Sequence, residues 1–275
     1  GVTWASSFGR PSRAARPRSM NGVQLGARFS LATNRLQYCG PADAEPHLYR
    51  AITTDSGHAE AARALSGFEA LMPYLELIAA KHGRDPFDFE VVEAYWVGNS
   101  LLDAFERGDF LHLLEALTQR GLPRSMARGL AERLPSRPLP HHVFHVAFVG
   151  VGNVTGHVPT TLANMEACRP AWADVVRISD GVLRVRGPTL VWEGGNVGWG
   201  PAVERELRYD PKVLPDLGPG DTVAVHWGWP ALRLSAAQRS ALESYSRRSV
   251  EQANEALHAG PGAGAPGATS ATSRS

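Results

Sequence analysis

Lysine is nearly absent from this chain: of 28 basic residues in 275, only Lys81 and Lys212 are lysine and the rest are arginine. With so much alanine, glycine and proline, that bias points to GC-rich coding rather than to nucleic-acid binding. Long apolar runs are missing too. None approaches the roughly 20 residues that cross a bilayer, so no membrane span is expected. Cysteine is scarce, with Cys39 and Cys168 the two, and no C-x-x-C exists. A thioredoxin-type motif and a four-cysteine zinc site are thereby excluded. Neither G-x-S-x-G nor H-E-x-x-H occurs, so serine-hydrolase and zincin chemistry have no motif. The first nineteen residues hold four arginines and no acid, but no apolar core of the roughly 7–15 residues a secretory signal needs. A reduced, cytoplasmic setting is therefore expected, with free thiols.

What is present is 43% hydrophobic and 20% charged, an ordinary globular balance, in a chain long enough for one large domain or two small ones. Residues 1–19 read as a disordered basic leader; without its four arginines the formal charge of +1 becomes −3. Residues 259–275, rich in Gly, Ala, Pro and Ser, read as a disordered tail. From about Gly57 to Leu134 the pattern is helical. Ala61, Leu65, Phe68, Met72 and Leu75 lie on one stripe, which Pro73 should kink or interrupt. A second helix carries Phe89, Val92, Tyr95 and Trp96, and shorter helical stretches follow around 109–119 and 124–134. "LPSRPLP" (134–140) stops helix formation and closes a helical domain over 20–140.

Beyond it the period becomes two. "VFHVAFV" (143–149) reads as a strand, within a strand and connecting segment over 141–167. "ADVVRISDGVLRVRG" (173–187) reads as a hairpin about Asp180-Gly181. "TLVWEG" (189–194), "AVERELRY" (202–209) and "DTVAVHW" (221–227) add strands to a small closed or half-closed barrel. A last helix begins at Ser235, where Gln238 completes a capping box, and packs on the barrel. The expected fold class is α+β.

Three stretches concentrate chemistry. In "PHHVFHV" (140–146), a helix would put His141 and His145 at i,i+4, where they could share a metal. On a strand they lie about 13 Å apart, and His142 shares a face with Phe144, Val146 and Phe148. His142 and His145 are then either hydrogen-bonded histidines where a strand begins or ligands completed from elsewhere. "YCGP" (38–41) sets Cys39 in a turn after a strand-like segment. With His142 or His145 as base it would be a nucleophile toward a small amide or ester. In "PGDTVAVHWGWP" (219–230), Val223, Val225 and Trp227 share one face, and Thr222, Ala224 and His226 the other. His226 is then either an exposed strand histidine or a ligand or base at a barrel mouth. "GVGNVTG" (150–156) is one residue off the dinucleotide fingerprint, lacks its strand–turn–helix frame, and reads as a loop.

From Cys168 to about Leu257 the order of motifs resembles the HypC/HupF family, small chaperones that mature nickel–iron hydrogenases. "CRPAWADVVRI" (168–178) keeps that family's interval from a cysteine to a valine pair, and "DGVLRVRG" is similar to its hairpin. "PGDTVAVHWGW" (219–229) is similar to its histidine strand, and "LSAAQRSALESY" (234–245) to its helix. The resemblance implies an OB-like β-barrel plus helix over 168–258, a chaperone or carrier rather than a turnover enzyme. It implies that Cys168 and His226 hold iron bearing cyanide and carbon monoxide ligands, for a hydrogenase large-subunit precursor and alongside other maturation proteins. Thiolate and imidazole suit low-spin iron. Here Cys168 is internal, whereas the family's cysteine is the mature N-terminus, and Pro170 and Ala173 depart from the pattern. The set "YCGP", "EAYWVGN", "PHHVFHV" and "VHWGW" also resembles an uncharacterised bacterial family associated with hydrogenase gene clusters. On that reading Cys39 with His142 forms a second set of ligands.

Overall fold

The computed structural model describes residues 20–54 and 56–259; the expected leader (1–19) and the tail from 260 onward lie outside them. Asn21 starts α1 (Gly22–Arg35) with a capping box, its side chain accepting from the Gln24 N–H while Gln24 reaches back. This segment before Cys39 is therefore a helix and not a strand. α2 (Ala44–Thr53) and α3 (His58–Ser66) pack against it. The apolar stripe ending at Leu75 spans two helices, α3 and α4 (Leu71–His82), broken over 67–70. Pro73 does not kink α4, because it sits in the first turn, where a missing N–H loses no intrahelical bond. α5 (Phe89–Trp96), a 3₁₀ turn (Ser100–Ala104), α6 (Arg107–Thr118) and α7 (Arg124–Arg133) complete the helical part. Among the described residues no helix is long and apolar enough to cross a membrane.

The segment 143–149 is not a strand. His142–Phe144 forms a single helical turn, α8, that widens into a π-helical turn over His145–Gly150. Everything from His142 to Gly150 except Ala147 is buried, packed against α9 (Leu162–Cys168) and α10 (Ala236–His258). A short run that is apolar on all sides has no period to separate strand from helix. Its β-branched and aromatic content favours a strand, and tertiary packing overrides that preference.

β1 (Ala171–Ser179), β2 (Val182–Glu193), β3 (Asn196–Arg208), β4 (Thr222–His226) and β5 (Trp229–Leu234) form one antiparallel sheet in the order β3-β2-β1-β4-β5. Asp180 (φ 48°) and Gly181 (φ 75°) make the expected β1–β2 turn. "TLVWEG" is the continuation of β2 past a register shift between Pro188 and Leu190, and it pairs with the first half of β3. The OB-like closed barrel is not formed: the sheet is open, with β3 and β5 as its edges. α10, capped by Ser235 and Gln238, lies against β1, β3 and β5, while α1 lies against β5. Helices thus cover the apolar face that closure would otherwise have to cover. The fold is α+β, and one hydrophobic core runs from Leu25 and Phe29 in α1 to Leu242 and Ala253 in α10.

Just past α5, Gly98 (φ 97°) presses its backbone on the Tyr245 ring of α10; a Cβ there would lie 2.4 Å from that ring. Gly83 (φ 62°) has the same handedness with nothing within 4 Å. Gly83→Ala should therefore cost only backbone strain, about 1–2 kcal/mol. Gly98→Ala adds the clash and should cost roughly 3 kcal/mol or more. Thermal melts of the two variants check this; equal shifts would show that α10 does not press on Gly98.

Candidate metal centre

β4 carries His226 to the seam between sheet and helices. Its face is not solvent-exposed: His226 is 1% exposed, and its ring lies 5.0 Å from that of Trp96 and 5.3 Å from that of His142. Trp227 does not share the wall of Val223 and Val225, because the strand ends at His226. Trp227 (φ 51°) and Gly228 (φ 70°) form the β4–β5 turn instead. His226 Nδ1–H donates to the Phe29 carbonyl at 2.7 Å. A carbonyl only accepts, so the tautomer is fixed and Nε2 keeps a lone pair. That Nε2 has no hydrogen-bond partner among the described residues.

The helical turn α8 brings His142 to the same place. Its Nδ1 lies 2.7 Å from Tyr95 Oη of α5. Its Nε2–H donates to the carbonyl of Cys168 at 3.1 Å, with that residue's Sγ at 3.5 Å. Nδ1 therefore accepts from Tyr95, and Nε2 becomes a metal donor once the proton moves to Nδ1. Cys168, the last residue of α9, is buried. One donor atom from each of His142, Cys168 and His226 lies within 4.8 Å of the other two. His145, one turn after His142, faces Tyr74 Oη at 3.0 Å and stays outside the trio. The strand reading hid this arrangement, since it separated the histidines along an extended chain.

A cavity of about 70 Å³ adjoins the trio, and Cys39, His142, His145, Cys168 and His226 all line it. Tyr38, Cys39, Gly152, Thr155, Val158 and Trp227 form its half-buried outer side, so the "GVGNVTG" loop supplies one wall. Cys39 has a carboxylate beside it and not an imidazole: Sγ–H donates to Glu69 at 3.2 Å, and the Gly40 N–H holds the same oxygen at 2.9 Å. Burial first, and the Glu69 charge second, push the Cys39 thiol upward. That favours the protonated thiol over the thiolate a nucleophile needs. Nothing in the sequence marks Glu69, thirty positions away, as its partner.

Burial dominates the electrostatics of the trio. It pushes the Cys168 thiol up to about 12 and holds His226 down at about 4. It holds His142 well below the ordinary imidazole range, with His226, His145 and His141 adding to the effect. The metal-free trio is therefore uncharged at neutral pH, and a bound cation would displace the thiol proton. Two imidazoles and one thiolate are a donor set for zinc, copper or iron, with coordination positions left for further ligands. The residues fit a metal: a buried lone pair without a donor is what a cation satisfies.

These features define a class, an α+β protein with a buried histidine–cysteine–histidine donor set between a helical layer and an open antiparallel sheet. The chain belongs to DUF6390, a family of unknown function whose model matches residues 18–260. No curated protein and no solved structure matches it.

Two outcomes follow from the buried groups. His141 is held at about 3, and His145 and His226 at about 4, with His142 also lowered, whereas each returns to about 6.5 on unfolding. The unfolded chain then binds more protons below pH 6.5, so stability is full above that pH and falls as pH drops toward 4. Four such groups cost up to roughly 5 kcal/mol per pH unit, and cooperative acid unfolding is expected between about pH 4 and 6. Tryptophan fluorescence against pH tests this, and unchanged stability at pH 4 would contradict it. Separately, Glu69→Gln should let Cys39 alkylate several-fold faster at pH 8, because the charge that holds the thiol protonated is gone. An unchanged labelling rate would remove Glu69 from control of that thiol.

Proposed function

We propose that this protein is an accessory factor of nickel–iron hydrogenase maturation that holds an iron–cyanide–carbonyl group on Cys168, His226 and His142. The single observation that carries this reading is the buried trio itself, with its donor atoms mutually within 4.8 Å. Cys168 and His226 are the two positions that the resemblance to the HypC/HupF chaperones implies as ligands. They lie 58 positions apart in sequence and come together here because β1 and β4 are neighbouring strands, Ala171 pairing with Val225. The third donor, His142, comes from the segment that precedes the resembling region.

The chemistry of the surroundings supports the cargo. Thiolate and imidazole suit low-spin iron. The adjoining cavity of about 70 Å³ exceeds the ~10–15 Å³ that one water needs, leaving room for small ligands on a metal. The proposed roles are few: Cys168 supplies a thiolate after losing its proton, His226 supplies Nε2, and Tyr95 and the Phe29 carbonyl orient the two rings. In this reading the protein is a carrier that does not turn over a substrate. It works in the cytoplasm, and its partners are a hydrogenase large-subunit precursor and the maturation proteins that build the iron group.

Infrared spectroscopy on protein produced anaerobically with the hydrogenase maturation machinery tests the proposal. Cyanide and carbonyl stretching bands are expected in the parent and absent from Cys168→Ser and His226→Ala, with both variants folded. A blank parent spectrum, from folded protein and a working machinery, would sink the carrier reading.

A further inference from the structure

We propose that Trp227 is a positioning residue of the metal centre, its indole N–H donating to the Cys168 thiolate when a cation is bound. The inference rests on the metal-binding reading above and assigns a role to a residue outside the donor trio. Trp227 occupies the first position of the two-residue β4–β5 turn with φ 51°. Turns of this hand are reserved for Gly, Asn or Asp, and a bulky residue there is strained. Such strain persists where surrounding structure enforces it, typically at functional sites.

Here the surroundings hold the ring beside Cys168, with which it lines the same cavity. The Trp227 backbone N–H donates to the Ala167 carbonyl at 2.6 Å, tying the turn to the residue before the cysteine. The ring packs beside Tyr38, with centroids 4.8 Å apart, and against the small core cluster that contains Cys168. Its Nε1 is buried and has no hydrogen-bond partner among the described residues. Burial pushes the Cys168 thiol upward, and the neighbouring indole N–H acts on it in the opposite direction.

The metal-free site thus contains two complementary defects. His226 Nε2 is a lone pair without a donor, and Trp227 Nε1–H is a donor without an acceptor. One event resolves both. A divalent cation displaces the proton of Cys168 Sγ, which leaves to solvent, and the cation accepts lone pairs from Sγ and from His226 Nε2. The sulfur, now anionic, becomes the acceptor the indole lacks, in a charge-assisted hydrogen bond of the kind that orients and tunes metal ligands.

The experiment uses the full chain and Co(II) as probe, with the thiolate-to-cobalt charge-transfer band as readout. Trp227→Phe keeps the aromatic ring and removes the N–H. The band is expected to move to lower energy, since a thiolate without its hydrogen bond is a better electron donor, and Co(II) affinity to fall about tenfold. A folded variant with unchanged band energy and affinity overturns the proposal and leaves the metal centre standing. A parent without any thiolate band, or with a band that survives Cys168→Ser, overturns the centre and the proposal together. A second measurement needs no variant. On loading the parent with Zn(II), the Trp227 indole proton, identified by its proximity to the Tyr38 ring, should shift downfield. An unmoved indole proton at full loading overturns the proposal.

Discussion

The hydrogen bond from His226 to the carbonyl of Phe29 joins residues 197 positions apart and holds the sheet to the helices. Phe29 lies within α1, and its carbonyl oxygen has two lone pairs, so it can serve the helix and the imidazole together. An imidazole left without that partner in this interior would cost about 1–3 kcal/mol. The same logic recurs at Tyr95 with His142 and at Tyr74 with His145. His226, His142 and His145 are answered in turn by groups from α1, α5 and α4. Buried His141 instead caps its own turn through Nδ1 and keeps Nε2 without a hydrogen-bond partner among the described residues. The helices therefore do more than cover an apolar face. They supply the polar partners without which those three histidines could not stay neutral, buried and oriented.

A second network fixes the thiol from the other side. Arg169, adjacent to Cys168, is 0% exposed. Its guanidinium is paired with Glu166 at 2.9 Å and donates to the Pro188 carbonyl at 2.6 Å. Glu166 also accepts from the Leu190 N–H and pairs with Arg205, so α9 is bound to β2 and β3 through a single carboxylate. The Arg169 and Arg247 guanidinium groups each lie 5.1 Å from the Trp199 ring centroid, which gives buried charge an aromatic surface as well as a counter-ion. A buried ion pair contributes little net stability against an apolar alternative. Its consequence here is positional, since it fixes the end of α9, and the end of α9 is Cys168. The donor trio is thus held from two sides by interactions that specify geometry more than they add stability.

Much of this was legible from residues alone, because the signals were local. Ser235 with Gln238, Asp180-Gly181 and the proline run over 134–140 are chemical instructions that act within a few residues, and each produced the cap, turn or stop it specifies. Cys168 and His226 were legible through a motif order. What was lost depended on packing. The run 143–149 is buried nearly all round, so no polar stripe betrayed its helix, and with the helix went the position of His142. The open sheet could not be told from a closed barrel, since strand alternation is the same in both; which surface covers the inner face was decided by α1 and α10. Cys39 read as a thiol awaiting a histidine, and its true partner, Glu69, lies on the connection between α3 and α4, which only the folded helices bring near.

The distribution of the trio along the chain has a consequence for how the site can work. In the family that residues 168–257 resemble, cysteine and histidine belong to one small domain, and the cysteine ends the chain. Here Cys168 has no free α-amine, and the third donor, His142, comes from the segment before it, so the set is completed by chain and not by a terminus. The cavity walls come from α1, α5 and the 150–158 loop as well as from the sheet. In the proposed carrier role, such enclosure would limit access to a metal's remaining positions and would also set a barrier to passing cargo onward. The half-buried side of the cavity, bounded by Tyr38, Cys39, Val158 and Trp227, is where the enclosure is thinnest. Transfer through that side, in the proposed carrier role, would leave the His226–Phe29 bond and the Arg169 network intact.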